Sequence, residues 1–170
     1  MAKYLNLAVV MLLALLVSCN HNDEPPLEVN LSVAEQYMPA TTVFDADDKE
    51  FLDKVKPYAD KTFVINSLAE LNEDPFGFSN AYKGIDFDEY TLLVAYWLHD
   101  MKIDTFRNRY YRDTKERTYN WAIHIGTSTP PDETSEQLEF TRFAILVKKL
   151  PANADIRIWK SIGALNWDWE

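Results

Sequence analysis

Three histidines (His21, His99 and His124), one cysteine (Cys19) and 27 acidic residues are the first candidates for metal-binding, nucleophilic or proton-transfer chemistry in this chain. Their spacing assembles no known catalytic pattern. The chain has no His-Glu-x-x-His pair of zinc ligands, no Gly-x-Ser-x-Gly elbow and no Gly-x-x-x-x-Gly-Lys loop. Four glycines are too few for a glycine-rich phosphate cradle. His21 lies in a polar, proline-containing stretch. His99 follows Trp97-Leu98 at a predicted strand end, and His124 falls on the strand face opposite Tyr119 and Trp121. No motif sets a nucleophile beside either, so both read as structural or surface histidines. A single cysteine supports neither a disulfide framework nor a Cys-based zinc site.

The acids form three clusters: Asp45/Asp47/Asp48/Glu50, Asp86/Asp88/Glu89 and Asp132/Glu133/Glu136. The first opens with the Asp-x-Asp of a calcium loop. It lacks the oxygen ligand at the fifth place, the glycine at the sixth and the closing glutamate. Acids gathered at a helix N-terminus, where the dipole favours them, explain it more simply. A glycosidase needs two carboxylates at a set separation across a cleft, and acids this numerous supply pairs without singling one out. The expectation is therefore a chain with no catalytic residues, no metal site and no cofactor.

Binding chemistry is better represented. Arg107, Arg109, Arg112, Lys115 and Arg117 fall within eleven positions, among Phe106, Tyr110, Tyr111, Tyr119 and Trp121. Guanidinium forks and ring faces so interleaved suit an anionic glycan or an acidic protein surface. Arg107, Arg109, Tyr110, Tyr111, Arg112 and Arg117 are the candidate partner-binding residues. The alternative is a solvated sheet face on which the arginines pair with nearby acids while the rings fill the core. Tyr96, Trp97 and Trp167-Asp168-Trp169 raise stacking on glycans as a further idea, although aromatic residues at strand spacing more often belong to a core.

The elements that must position these groups begin after a leader. Lys3 precedes an apolar run from Leu5 to Val17, interrupted only by Asn6. That run has signal-peptide length and is shorter than the roughly 20 residues of a bilayer span. Leu16-Val17-Ser18-Cys19 has the form of a lipobox. Residues 1–18 are expected to be removed and Cys19 lipidated, giving membrane attachment. At about 0.8 kcal/mol per buried methylene, more than one acyl chain suffices for stable anchoring. Residues 19–27 are polar with two prolines and read as a tether; residues 28–170 read as one domain. A net charge of −10 repels phosphate backbones and argues against nucleic acid.

Within 28–170, Val29, Leu31 and Val33 alternate as one short strand. Asp47-Asp48-Lys49-Glu50 and Ser67-Leu68-Ala69-Glu70 are capping boxes, each opening a short helix, the second with Leu68 and Leu71 inward. Thr62-Phe63-Val64-Ile65 reads as a strand. Tyr90 to Trp97 is apolar on both faces and belongs at a sheet centre. Ile103–Tyr111 and Arg117–Ile125 suit a hairpin turning at Asp113-Thr114-Lys115. Leu138 and Phe140 lie out of phase with Phe143, Ile145 and Val147, which predicts a β-bulge near Thr141-Arg142. Ile156–Ile162 is the last strand. The fold class is α+β: a mainly antiparallel sheet of about six strands, sandwich-like or a half-open barrel, with two short helices.

Three segments carry a family resemblance: Phe63-Val64-Ile65-Asn66-Ser67-Leu68-Ala69-Glu70-Leu71, Ile85-Asp86-Phe87-Asp88-Glu89-Tyr90-Thr91-Leu92-Leu93 and Phe143-Ala144-Ile145-Leu146-Val147-Lys148-Lys149-Leu150. The series resembles a group of uncharacterised lipoproteins of Bacteroides-type gut bacteria. More remotely it is similar to the C-terminal domain of protease-complex accessory subunits. The likeness spans roughly residues 60–160 and implies fold and location, without catalytic residues to carry over. Asp23-Glu24 resembles the acidic signal that exports some lipoproteins of that group. The resemblance implies an outer-membrane lipoprotein, facing either the surface or the periplasm. The function expected is a non-catalytic binding or assembly module meeting an envelope protein. The alternatives are a glycan-contacting surface protein and, third, a hydrolase of unrecognised type.

Overall fold

The computed structural model describes residues 27–73, 76, 78–127 and 136–164. The lipobox, the tether up to Pro26, Asp132, Glu133 and the Trp167–Trp169 tail lie outside them. The described chain forms three layers. An outer sheet has the strand order β1-β5-β6-β8 and a central sheet the order β2-β7-β4-β3. Two short helices and a 3-10 turn cover the central sheet's far side. The strands are β1 (Glu28–Asn30), β2 (Val33–Asp45), β3 (Thr62–Ile65), β4 (Tyr90–His99), β5 (Thr105–Asp113), β6 (Thr118–Thr127), β7 (Gln137–Lys148) and β8 (Ile156–Ala164). The helices are α1 (Lys49–Val55) and α2 (Leu68–Asn72). The architecture is α+β and sandwich-like, with eight strands among the described residues, which do not close into a barrel. No described helix is long and apolar enough to cross a membrane.

Burial of the central sheet on both faces explains its sequence. Leu93, Ala95, Phe143, Ile145 and Val147 meet Tyr110, Trp121, Ile123 and Ile125 of the outer sheet. The intervening Leu92, Val94, Tyr96, Phe140, Ala144 and Leu146 meet Val55 and Leu71 of the helices. β4 sits between β3 and β7, the central place its two apolar faces predict. The same double burial corrects the bulge expected at Thr141-Arg142. β4 and β7 pair without interruption from Tyr90↔Lys148 to His99↔Glu139. Apolar residues of both parities in β7 serve two cores, and no phase change is needed. The irregularities lie in its other neighbour, with register shifts between Val33 and Glu35 and between Tyr37 and Ala40 of β2.

Other expectations are refined. Val29 and Val33 do not share a strand: β1 joins the outer sheet and β2 starts the central one. The first helix is capped by Asp48, whose carboxylate accepts from Phe51 N at 3.0 Å. Ser67 Oγ accepts from Glu70 N at 3.2 Å, while the Glu70 carboxylate reaches past Ser67 to accept from Asn66 N at 2.6 Å. Leu71 is buried but Leu68 points to solvent, because a five-residue helix presents little more than one turn to the core. The last strand pairs with β6 in parallel, not antiparallel, since the chain crosses from the central to the outer sheet between β7 and β8.

Candidate functional site

Strand alternation divides the β5–β6 hairpin between two environments. Phe106, Tyr110, Trp121, Ile123 and Ile125 turn into the inter-sheet core. Their neighbours turn away from it, onto the outward face of the outer sheet. Register places Tyr111, Asn120 and Arg157 side by side, then Arg109, Ala122 and Trp159, then Arg107, His124 and Ser161. Strands lie about 4.8 Å apart, so Arg109 and Trp159 stand roughly 10 Å apart across Ala122. The small, buried Ala122 lies between the guanidinium and the indole. Trp159 is 55% exposed, and its Nε1 donates to Asn120 Oδ1 at 3.2 Å.

Of the six candidate residues, Arg107, Arg109 and Tyr111 come together on this face. Arg112 is on the opposite strand face, its guanidinium 5.5 Å from the Tyr119 ring. Arg117 occupies the turn with φ 61°, where Asp113 Oδ1 accepts from Lys115 N and Glu116 N, each at 2.8 Å. Tyr110 is a correction: it is 5% exposed, in the core, and its hydroxyl has no hydrogen-bond partner among the described residues. Burial pushes its phenol pKa upward, so it stays protonated. Tyr110→Phe should therefore leave the fold intact and raise its stability by up to about 1 kcal/mol, since a buried unsatisfied group is removed. A drop in the denaturant midpoint would contradict this placement.

The arginines divide by charge pairing. Arg109 Nη2 donates to Glu28 Oε2 at 2.8 Å and Nε to Asn30 Oδ1 at 3.2 Å, and the guanidinium lies 4.6 Å from the Tyr111 ring. Arg157 pairs with Glu116 at 2.5 Å and Asp155 at 3.7 Å. Arg107 is exposed and makes no ion pair with a described residue. Arg109→Glu should accordingly cost up to about 1 kcal/mol by setting a carboxylate against Glu28, the half-exposed pair keeping it from costing more. Arg107→Glu should change stability by less than about 0.5 kcal/mol. Equal losses in paired urea melts would show that this division is wrong.

Residues missed from the sequence complete the face: Glu28, Asn30, Asn120, Arg157, Trp159 and Ser161. Alternation in β6 already turned His124 outward. The parallel register of β8, which delivers Trp159 and Ser161, leaves no local signal. His124 Nδ1 lies 2.5 Å from Ser161 Oγ. Burial lowers the His124 pKa, and the Arg109 cation lowers it further. A base that takes a serine proton must become an imidazolium, which a neighbouring cation disfavours. The pair therefore serves better as a hydrogen-bonding surface than as a nucleophile and its base.

His99 is structural. Its Nδ1–H donates to Met101 O at 2.7 Å, leaving Nε2 to accept from the Thr141 hydroxyl at 2.9 Å. Thr41 Oγ1 lies 2.9 Å from that hydroxyl, and burial holds the imidazole pKa below its ordinary value. Asp45 and Asp47 meet Glu136 at one open cleft. Among the described residues, no three His, Cys, Asp or Glu side chains converge to hold a metal ion. Asp86 instead orders a turn, accepting from Asp88 N at 2.9 Å. Set against known proteins, the chain matches no protein-family model, no curated protein and no solved structure.

Proposed function

We propose that this chain is a non-catalytic binding module of the cell envelope, tethered through Cys19, and that the outward face of the outer sheet holds a glycan chain. The observation that carries this reading is Trp159, 55% exposed on the outward sheet face in line with Ala122 and Arg109. Leaving so large an apolar ring in water forgoes burial worth about 1.5–3 kcal/mol for a large side chain. The C–H face of a pyranose is flat, apolar and of matching width, and it covers such a ring. Sugar hydroxyls radiating from that face meet the Asn30 amide, the Ser161–His124 pair and the Arg109 guanidinium, while the buried Asn120 holds the indole in place. Glu28 and Glu116 neutralise Arg109 and Arg157, so these arginines act as oriented donors with little net charge. That favours a neutral glycan over a polyanion.

Arg107 favours a second reading, an acidic partner protein or uronate-rich polymer, because its charge is not offset by a described acid. Native-gel affinity electrophoresis of the full chain separates the two. Neutral polysaccharides should retard it, with little change between low and high salt. Retardation by acidic polymers alone, lost as salt screens exposed charges, supports the second reading. No retardation by any neutral or acidic envelope, plant or host glycan counts against both.

A further inference from the structure

A separate cleft lies at the opposite edge of the molecule from β1 and β2, where β3 ends the central sheet beside α2. We propose that this cleft binds an extended peptide of a partner protein, which adds as a strand to β3, seats one large apolar side chain and places a basic residue against Glu70 and Glu73. The site is distinct from the sugar-binding face and does not depend on it.

Backbone geometry gives the first argument. Among the described residues β3 is an edge strand, paired with β4 alone in the register Thr62↔Ala95 to Ile65↔Leu92. Tyr96 N donates to Lys61 O at 3.0 Å, which fixes the alternation of the ladder. Lys61 directs its C=O, and Phe63 and Ile65 both their N–H and C=O groups, toward β4, while the Lys61 N–H donates to Tyr58 O and the groups of Thr62 and Val64 face away from the sheet. Unpaired groups of this kind are the template for strand addition.

The cavity beside that edge gives the second. It measures about 220 Å³, and Phe63, Ile65, Val94 and Tyr96 form its apolar lining, with the exposed Glu70 and Glu73 at its rim. Sites that enclose a drug-sized molecule run about 300–1,000 Å³, so this one fits a single large side chain better than a whole small ligand. An extended chain returns to the same face every second residue. The apolar residue that fills the cavity therefore sets its second neighbours along the rim, within reach of the Glu73 carboxylate and of the Glu70 oxygen that Asn66 N does not occupy. Charge complementarity selects the occupant. A second copy of this acidic chain, pairing β3 to β3, would bring four carboxylates to one seam, whereas a Lys- or Arg-bearing segment is attracted to it.

Selection of displayed random octapeptides on the immobilised full chain tests the proposal. Enriched sequences should carry a large apolar residue with Lys or Arg two positions away. A synthetic peptide of the enriched sequence should lose tenfold or more in affinity on Glu73→Lys. That change also suits the end of α2, where Glu73 is the C-cap and a basic residue is favourable. Val64→Pro should abolish binding, because it removes an outward N–H, and proline is tolerated on an edge strand. Trp159→Ala should leave peptide affinity unchanged. Peptides without the spacing, peptides that bind both β3-side variants as well as the parent, or a dimer in sedimentation that Val64→Pro dissolves would each overturn the assignment.

Discussion

Trp121→Ala should destabilise the domain by about 3–5 kcal/mol, the largest loss expected from any single truncation in the inter-sheet core. Trp121 has no exposed surface. It stands in register with Tyr110 on one side and Ile158 on the other, and packs in the cluster with Leu93, Phe143 and Ile145 of the central sheet. Two costs add in the truncation. The lost ring leaves a cavity that strands fixed on both sides cannot close. Asn108 Oδ1 also loses the Nε1 donor it holds at 2.8 Å. A domain of this size has roughly 5–15 kcal/mol of total stability, so the variant should be partly unfolded at growth temperature. Trp121→Phe keeps most of the volume and loses the hydrogen bond, and should cost about 1–3 kcal/mol. Chemical denaturation of the parent and both variants gives the comparison. A loss below about 1.5 kcal/mol for the alanine variant would mean that the two sheets do not close on this residue.

Much of the fold could be read along the chain because local chemistry and tertiary placement agree there. The two-faced apolar run of β4 marks a doubly covered strand. The alternation of Tyr119, Trp121, Ile123 and Ile125 marks the inward face of β6, and Ser67 and Glu70 mark the start of α2. Where the two disagreed, the sequence misled. β2 runs thirteen residues with mostly exposed side chains and an internal Pro39, features that ordinarily speak against a strand. As an edge strand it needs only one bonded side, and a register shift spans the proline. β7 looked bulged because its alternation was measured against one core when it faces two.

The candidate site was half legible for the same reason. Period-two reasoning separates Arg107, Arg109 and Tyr111 from Tyr110 and Arg112 once the inward face is known. The density of basic residues had suggested a single patch. Glu28 and Arg109 meet through a long-range pairing, 81 positions apart, that no local pattern encodes. Trp159 faces out for a topological reason: β8 crosses between sheets and enters parallel to β6.

Trp159→Ala should reduce affinity for the bound neutral glycan by about 2 kcal/mol or more, roughly thirtyfold. The indole supplies the only large, exposed apolar ring on the described part of that face, and tryptophan anchors of this kind carry a disproportionate share of binding energy. Its loss should cost the fold about 1 kcal/mol or less, chiefly the bond to Asn120. Affinity electrophoresis of the parent and Trp159→Ala in the same retarding polysaccharide, with a thermal melt of each, tests the central claim most directly. The account predicts that the parent is retarded, that the variant migrates as in a gel without glycan, and that their melting curves nearly coincide. Equal retardation of the two proteins, with both folded, would contradict it.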